Sequence, residues 1–174
     1  MAYAFDEDYT HLPPPPVRAE VEADIIDWRS RLTDLMDGIR SWASEIPGVE
    51  VQVGEVGRLE RKMELVGIHE PVRLPALTLR KIVGSYFTPL PAGDQNPYIN
   101  ERLTTDDVWL SVWPDARWVI GTRGQIWLQS NSKFYTVADL GEHGHPDWRL
   151  LQKGDDEFRP FTKEIFQALV TDLK

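Results

Sequence analysis

The chain contains no cysteine, and this absence excludes several kinds of chemistry. Without thiols there is no disulfide framework, no thiolate zinc site and no cysteine nucleophile. Long apolar runs are also missing, since no stretch approaches the roughly 18 consecutive apolar residues of a membrane-spanning helix. The first residues have neither a basic segment nor an apolar centre, so we expect no secretory signal. These features predict a cytoplasmic protein that does not bind membranes.

Basic residues are few, with 19 lysines and arginines against 28 acidic residues and a formal net charge of −9. Such a chain repels phosphate backbones and attracts basic surfaces, which disfavours nucleic acid and favours a partner protein with a basic surface. The sequence has no Gly-x-Ser-x-Gly motif, no P-loop and no Gly-x-Gly-x-x-Gly motif. We therefore expect no cofactor, and the composition leans away from an enzyme.

The most regular pattern is an apolar stripe whose members are spaced alternately four and three residues apart. It predicts a helix over residues 17–46, roughly 40 Å long, with one narrow apolar seam. That seam needs a cover, which is either the rest of the chain or a second copy in a homodimer formed through the 17–46 helix. The stripe consists of Val21, Ile25, Trp28, Leu32, Leu35, Ile39, Trp42 and Ile46.

Residues 1–16 are predicted to form a flexible tail ahead of one domain, which spans residues 17–174. Aromatic and acidic side chains alternate in the tail, and a run of prolines then stiffens it. The tail is either a floppy terminus, a linear motif that anchors in a partner's pockets, or a segment whose aromatic rings fold back onto the body. The side chains of the proposed motif are Tyr3, Phe5, Asp6, Glu7, Asp8 and Tyr9.

After residue 48 the apolar period changes from helical to alternating, which is typical of strands. Short turns separate the later strands and predict an antiparallel meander. The fold class is therefore α+β, with a long N-terminal helix and a C-terminal helix packed on a twisted antiparallel sheet of six or seven strands. Eight segments have strand-like patterns, at 49–53, 59–68, 77–87, 108–113, 117–122, 125–129, 133–137 and 148–151, and six or seven of them are expected in the sheet. A loop is expected at 88–107 and a closing helix capped by Thr162.

Tryptophan is concentrated in the second half of the chain. Trp109 and Trp113 are separated by an even number of residues, so they share one face of their strand. They either pack in the core or form an aromatic surface for a peptide, a hydrophobic ligand or a sugar. A second arrangement is a ligand pocket with aromatic walls and a basic contact, formed by Trp118, Trp127, Tyr135, Arg117 and Arg123.

One segment has the residue types of a metal site. His143 and His145 lie two residues apart, which on an extended segment points both imidazoles to one side. With Glu142 they would suit iron, manganese or zinc. The alternative is a solvated polar loop without a metal.

These observations favour a non-enzymatic protein-binding module, such as an adaptor, an immunity-type inhibitor or a specialised chaperone. Its contacts would be aromatic anchors, and its acidic charge would steer it toward a basic partner. Two alternatives stay open. One is a small-molecule-binding domain with a Trp/Tyr-lined pocket, and the other is a metal-dependent enzyme centred on His143 and His145.

Overall fold

The computed structural model of the chain describes residues 14–89, 101–152 and 157–173. Three helices and seven strands follow one another as α1, β1, α2, β2 to β7 and α3. The helices are α1 (Arg18–Ser44), α2 (Arg61–Leu65) and α3 (Lys163–Thr171). The strands are β1 (Val49–Arg58), β2 (Val72–Pro89), β3 (Glu101–Ala116), β4 (Gln125–Ser130), β5 (Phe134–Asp139), β6 (Trp148–Gln152) and β7 (Arg159–Pro160).

The strands form one seven-stranded sheet in chain order, and each pairs antiparallel with the next. This confirms the predicted α+β meander with one helix at each end of the chain. No helix among the residues that the structure describes is both long enough and apolar enough to cross a membrane.

Most of the seam of α1 is buried inside the chain. Val21, Trp28, Leu32 and Ile39 are at most 2% exposed, and Arg31 is buried beside them. Trp28, Leu32 and Ile39 pack on the inner face of the sheet, which supplies leucine and valine side chains from β2, β3, β4 and β5. Most of the seam is therefore covered within one molecule, but Ile25, Trp42 and Ile46 are only half-buried, and a homodimer through the 17–46 helix stays a prediction.

Helix α3 extends this core beyond the end of α1. The Thr162 side chain accepts a hydrogen bond from the amide of Ile165, as predicted for its cap. Phe166 is buried and lies 5.9 Å from the ring of Trp42, measured between ring centroids. At the other end of α3, the Lys81 ammonium donates to the carbonyls of Val170, at 3.1 Å, and of neighbouring residues. A cation there complements the negative end of the helix dipole.

The strand expected at 59–68 is wrong, because part of this segment is α2. The alternating pattern predicted several apolar residues on one face of a strand. Of these, only Met63 is buried, at 2% exposure. Leu65 is 59% exposed. The Glu60 carboxylate just before α2 accepts from the amides of Arg117 and Trp118 at 2.8 and 3.2 Å. A single helical turn thus buries one side chain where a strand would have had to bury a whole face.

The strand expected at 117–122 is also wrong. This segment is irregular, and Ile120 within it is fully exposed at 102%. Side-chain hydrogen bonds to α1 hold this segment in place. Arg117 Nη2 and Trp118 Nε1 donate to the Asp24 carboxylate at 3.0 and 2.9 Å. Anchoring to a helix replaces pairing to a neighbouring strand here.

The loop expected at 88–107 is shorter than predicted. β2 runs on to Pro89 and β3 begins at Glu101, with the pairing continuing from Ile82↔Asp107 to Pro89↔Glu101 across one bulge. The two strands extend as a ribbon past the ends of β1 and β4, whose pairing stops at Lys81 and Leu110. The strand predicted at 77–87 therefore ends two residues early, and the one predicted at 108–113 begins seven residues late.

Glycine is required where β4 begins. Gly124 has a φ of +127°, and a Cβ built on it would lie 2.6 Å from the Trp28 ring. Gly38 in α1 is the opposite case, because the nearest atom to an added Cβ is 3.6 Å away on Trp42. We expect Gly124→Ala to lower the free energy of unfolding by about 3 kcal/mol, through overpacking and backbone strain.

The matched control is Gly38→Ala, which should raise the free energy of unfolding by about 0.5–1 kcal/mol because alanine is the better helix former. Urea denaturation followed by circular dichroism measures both changes. Equal effects of the two substitutions would show that Trp28 does not lie against Gly124 as described.

Candidate functional site: the outer face of the sheet

The sheet has a second face, which points away from α1 and α3. Residues paired directly across antiparallel strands share a face, so the register assigns each side chain. Trp113 pairs with Trp127, and Trp127 with Thr136. Val112 and Leu128, next to them on the strands, belong to the buried core. The tryptophans of this register therefore lie opposite the helices, on what we call the outer face. Its central positions are Thr78, Arg80, Trp109, Ser111, Trp113, Trp127, Gln129, Phe134 and Thr136.

Large aromatic surface is exposed on the outer face. Trp109 and Trp113 are 37% and 41% exposed, and they stand roughly 13 Å apart along β3. Trp127 and Phe134 are half-buried beside them, with ring centroids 5.5 Å apart. These rings shield one another only in part, which leaves an aromatic patch bordered by hydroxyl and amide side chains.

Charged residues flank the patch on the β2 side. The Arg80 guanidinium lies 5.9 Å from the centroid of the Trp109 ring and donates to Asp107 and to Glu50, the latter at 3.2 Å. The hydrogen bond to Asp107 raises the pKa of Arg80, and Glu50 adds to the effect. The patch thus combines stacking surface with hydrogen-bonding groups.

The structure confirms that Trp109 and Trp113 share a face, and the register brings Trp127 to the same face. The sequence did not identify Arg80 or Phe134 as members of this face. The position of Phe134 on this face could have been predicted from the sequence, because the short turn between β4 and β5 pairs it with Gln129. Arg80 lies within the strand predicted at 77–87, but its place on this face follows only from its pairing with Trp109.

The five residues of the predicted ligand pocket lie in separate places. Trp127 is on the outer face, whereas Tyr135 is buried on the inner face, and burial raises its pKa. Arg117 and Trp118 contact Asp24 of α1. Arg123 lies near Asp27 and His143 instead. No single cavity among the described residues is lined by all five.

The histidine segment forms a tight loop. Glu142 and His145 make an isolated β-bridge, and His143 is 80% exposed. The His143 Nδ1 atom lies 3.2 Å from Arg123 Nη2. Within residues 14–89, 101–152 and 157–173, no group of three or more histidine or carboxylate side chains is placed to hold a metal ion. The tail residues Tyr3, Phe5, Asp6, Glu7, Asp8 and Tyr9 lie outside the described residues.

A buried charge network fixes α1 to the far end of the sheet. Arg31 pairs with Asp139, whose side chain is fully buried and accepts from the amides of Gly141 and Asp147, each at 2.9 Å. Arg31 also donates to Asp27 at 3.0 Å. Burial alone would raise the pKa of Asp27, but the hydrogen bonds and charges of Arg31 and Arg123 outweigh it and lower that pKa. Because the carboxylates of Asp27 and Asp139 are both paired with Arg31, we assign this network a structural role.

The Asp27 carboxylate should make stability depend on pH. Its pKa in the folded chain lies below the ordinary 3.8, so its contribution is present above pH 3.8 and is lost as the pH falls toward the folded value. We expect Asp27→Asn to destabilise the protein at about pH 6, and the deficit relative to the unsubstituted chain to shrink below about pH 4.

Urea denaturation across this pH range measures the deficit. Asp34→Asn is the matched control, because Asp34 is an exposed carboxylate on the same helix, and we expect it to change stability by less than about 0.5 kcal/mol. A deficit for Asp27→Asn that stays constant with pH would contradict the assignment.

Comparison with known proteins does not indicate a function for this face. No family model, no curated protein and no solved structure matches the chain. The function is therefore argued from the outer face itself.

Proposed function

We propose that this protein is a non-enzymatic protein-binding module whose partner docks on the outer face. The observation that carries the proposal is the exposure of Trp109 and Trp113 on a sheet face that neither α1 nor α3 covers. Tryptophan is enriched among the residues that dominate binding energy at protein interfaces, and such residues cluster with energetically lesser contacts around them. Ser111, Gln129 and Thr136 supply that polar surround.

Charge supports a protein partner with a basic surface. The chain has a formal net charge of −9, and exposed Glu50, which pairs with Arg80 across the strands, stands beside the aromatic patch. Charges at the rim of an interface act mainly on the rate of encounter, while desolvated aromatic rings govern the lifetime of the complex. Adaptors, immunity-type inhibitors and specialised chaperones all act in this way, by occupying a partner. The cysteine-free composition suits a reducing compartment, and we propose the cytoplasm.

The test compares capture of partners by the unsubstituted chain and by a Trp109→Thr/Trp113→Thr variant. Threonine keeps the strand propensity, so the sheet should persist. We expect the unsubstituted chain to capture a stoichiometric basic protein from the lysate of its source organism. We expect the variant to bind the purified partner at least about 30-fold more weakly, as for loss of a hot spot.

Two controls locate the contact. A photo-cross-linking residue at Ser111 on the outer face should label the partner, and the same residue at exposed Ala23 on α1 should not. A chain lacking residues 1–16 should bind unchanged. Loss of binding on truncation, with full binding by the tryptophan variant, would move the site to the tail and overturn the proposal.

A further inference from the structure

A groove lies on the helix side of the molecule, on the far side of the sheet from the outer face. Its volume is about 430 Å³. One wall is a stripe of α1 that includes Leu35, Gly38 and Trp42. The other wall comes from the segment that enters β6 and from the β7–α3 junction, and the full lining is Arg31, Asp34, Leu35, Gly38, Trp42, Pro146, Asp147, Trp148, Pro160, Phe161 and Thr162.

Gly38 keeps the groove open. It lies inside a helix, where glycine is a poor residue, yet its backbone does not have a positive φ. An added Cβ would touch only the Trp42 ring, at 3.6 and 3.9 Å. Crowding therefore does not explain this glycine. A larger side chain at this position would fill space between α1 and the opposite wall.

Two of the aromatic residues that line the groove, Trp42 and Trp148, carry an indole N–H, which is a hydrogen-bond donor. Neither the Trp42 nor the Trp148 indole N–H makes a hydrogen bond in the parts of the chain that the structure describes. The Arg31 guanidinium, by contrast, is already bonded to Asp27, Asp139 and the Arg123 carbonyl. A ligand that matches the groove is apolar and carries carbonyl groups that accept hydrogen bonds. It has few hydrogen-bond donors of its own, so it needs few acceptors from the groove. Proline has this chemistry, because it lacks the backbone N–H.

One carboxylate at the groove sets the charge of the ligand. Of the two carboxylates that line the groove, Asp147 pairs with Arg149. Asp34 is exposed and makes no ion pair in the described part of the chain. A basic residue of a ligand in the groove would meet this carboxylate first. The net charge of −9 likewise favours a basic ligand over a second copy of the chain.

We propose that this groove binds a proline-rich segment of a partner protein, in the polyproline II conformation, with a basic residue against Asp34. Aromatic-lined grooves recognise such segments because the ligand is already ordered before it binds. The site is separate from the outer face. The chain's own Pro14–Pro16 run does not reach it within one molecule, because that run precedes α1 and Gly38 lies roughly 30 Å along the helix.

The probe is a synthetic peptide of eight prolines with two arginines at one end, titrated into the full chain. Two further peptides, with glutamate in place of arginine and with serine in place of proline, separate the charge from the conformation. The readout is the set of seven indole N–H resonances in a nitrogen–proton correlation spectrum, assigned by single Trp→Phe substitutions. Gly38→Leu fills the groove, and Gly38→Ala is its matched control.

We expect the arginine peptide to shift the Trp42 and Trp148 resonances while leaving those of Trp109 and Trp113 in place. Gly38→Leu should abolish the shifts and Gly38→Ala should keep them. Asp34→Asn should weaken binding of the arginine peptide by about threefold, as for an exposed ion pair.

Four results of the peptide titration would overturn the proposal, and a fifth comes from the chain without peptide. They are no shift at millimolar peptide, equal binding of the serine peptide, unchanged binding by Gly38→Leu, and shifts confined to the outer-face tryptophans. A failure of this kind leaves the outer face untouched, because the Trp109→Thr/Trp113→Thr experiment reads a different surface. Concentration-dependent shifts without added peptide, lost when residues 1–16 are removed, would show that a second copy is the occupant and would also overturn it.

Discussion

Both helices at the ends of the chain pack on one face of the sheet, and the rest of the molecule depends on this one-sided packing. The stripe of α1 and the buried face of α3 meet the inner side chains of β2 to β6 in a single core. Burial of that surface supplies the main favourable free energy of folding. Since the apolar residues of these helices are used there, the outer face must be stabilised by its own side chains. It is, through ring contacts such as Trp127 with Phe134 and through Arg80 on Trp109.

Apolar packing alone does not fix the position of a helix along a sheet, because leucine and valine contacts are not directional. In this protein, charged side chains on α1 fix the position of the helix along the sheet through directional bonds. Asp24 binds Arg117 and Trp118, and Arg31 reaches Asp139 at the end of β5. Removing one partner of a buried ion pair leaves an uncompensated charge, which is strongly unfavourable. These bonds determine which residues of the helix face the groove and which face the core.

Much of the fold could be predicted where a pattern is long. The stripe of α1 spans about seven turns, and residues 108–113 are a run rich in valine and tryptophan, so the main helix and the central strand were both found. Prediction failed where a segment is short or held by side-chain bonds. At Met63 a single buried residue was enough to favour a helical turn, and Trp118 is held by Asp24. Neither effect leaves a period in the sequence.

The binding surfaces, too, could be predicted from the sequence only in part. Even spacing placed Trp109 and Trp113 on one face without a structure. Which face that is, and that Trp127 joins it, followed only from the register between strands. The groove could not be predicted, because its walls come from elements more than 100 residues apart in the chain, at Gly38 and at Trp148. No pattern in the sequence marks Gly38, and its consequence is visible only beside Trp42.

The most direct test of the central claim, that the outer face is open to a partner, is a solvent paramagnetic relaxation measurement on the indole N–H protons of the free protein. A soluble paramagnetic agent relaxes exposed protons faster than buried ones. We expect strong relaxation for Trp109 and Trp113, which are 37% and 41% exposed, and almost none for Trp28, at 2%. Protection of Trp109 and Trp113 to the level of Trp28 would show that another part of the molecule or a second copy covers this face, and it would contradict the account.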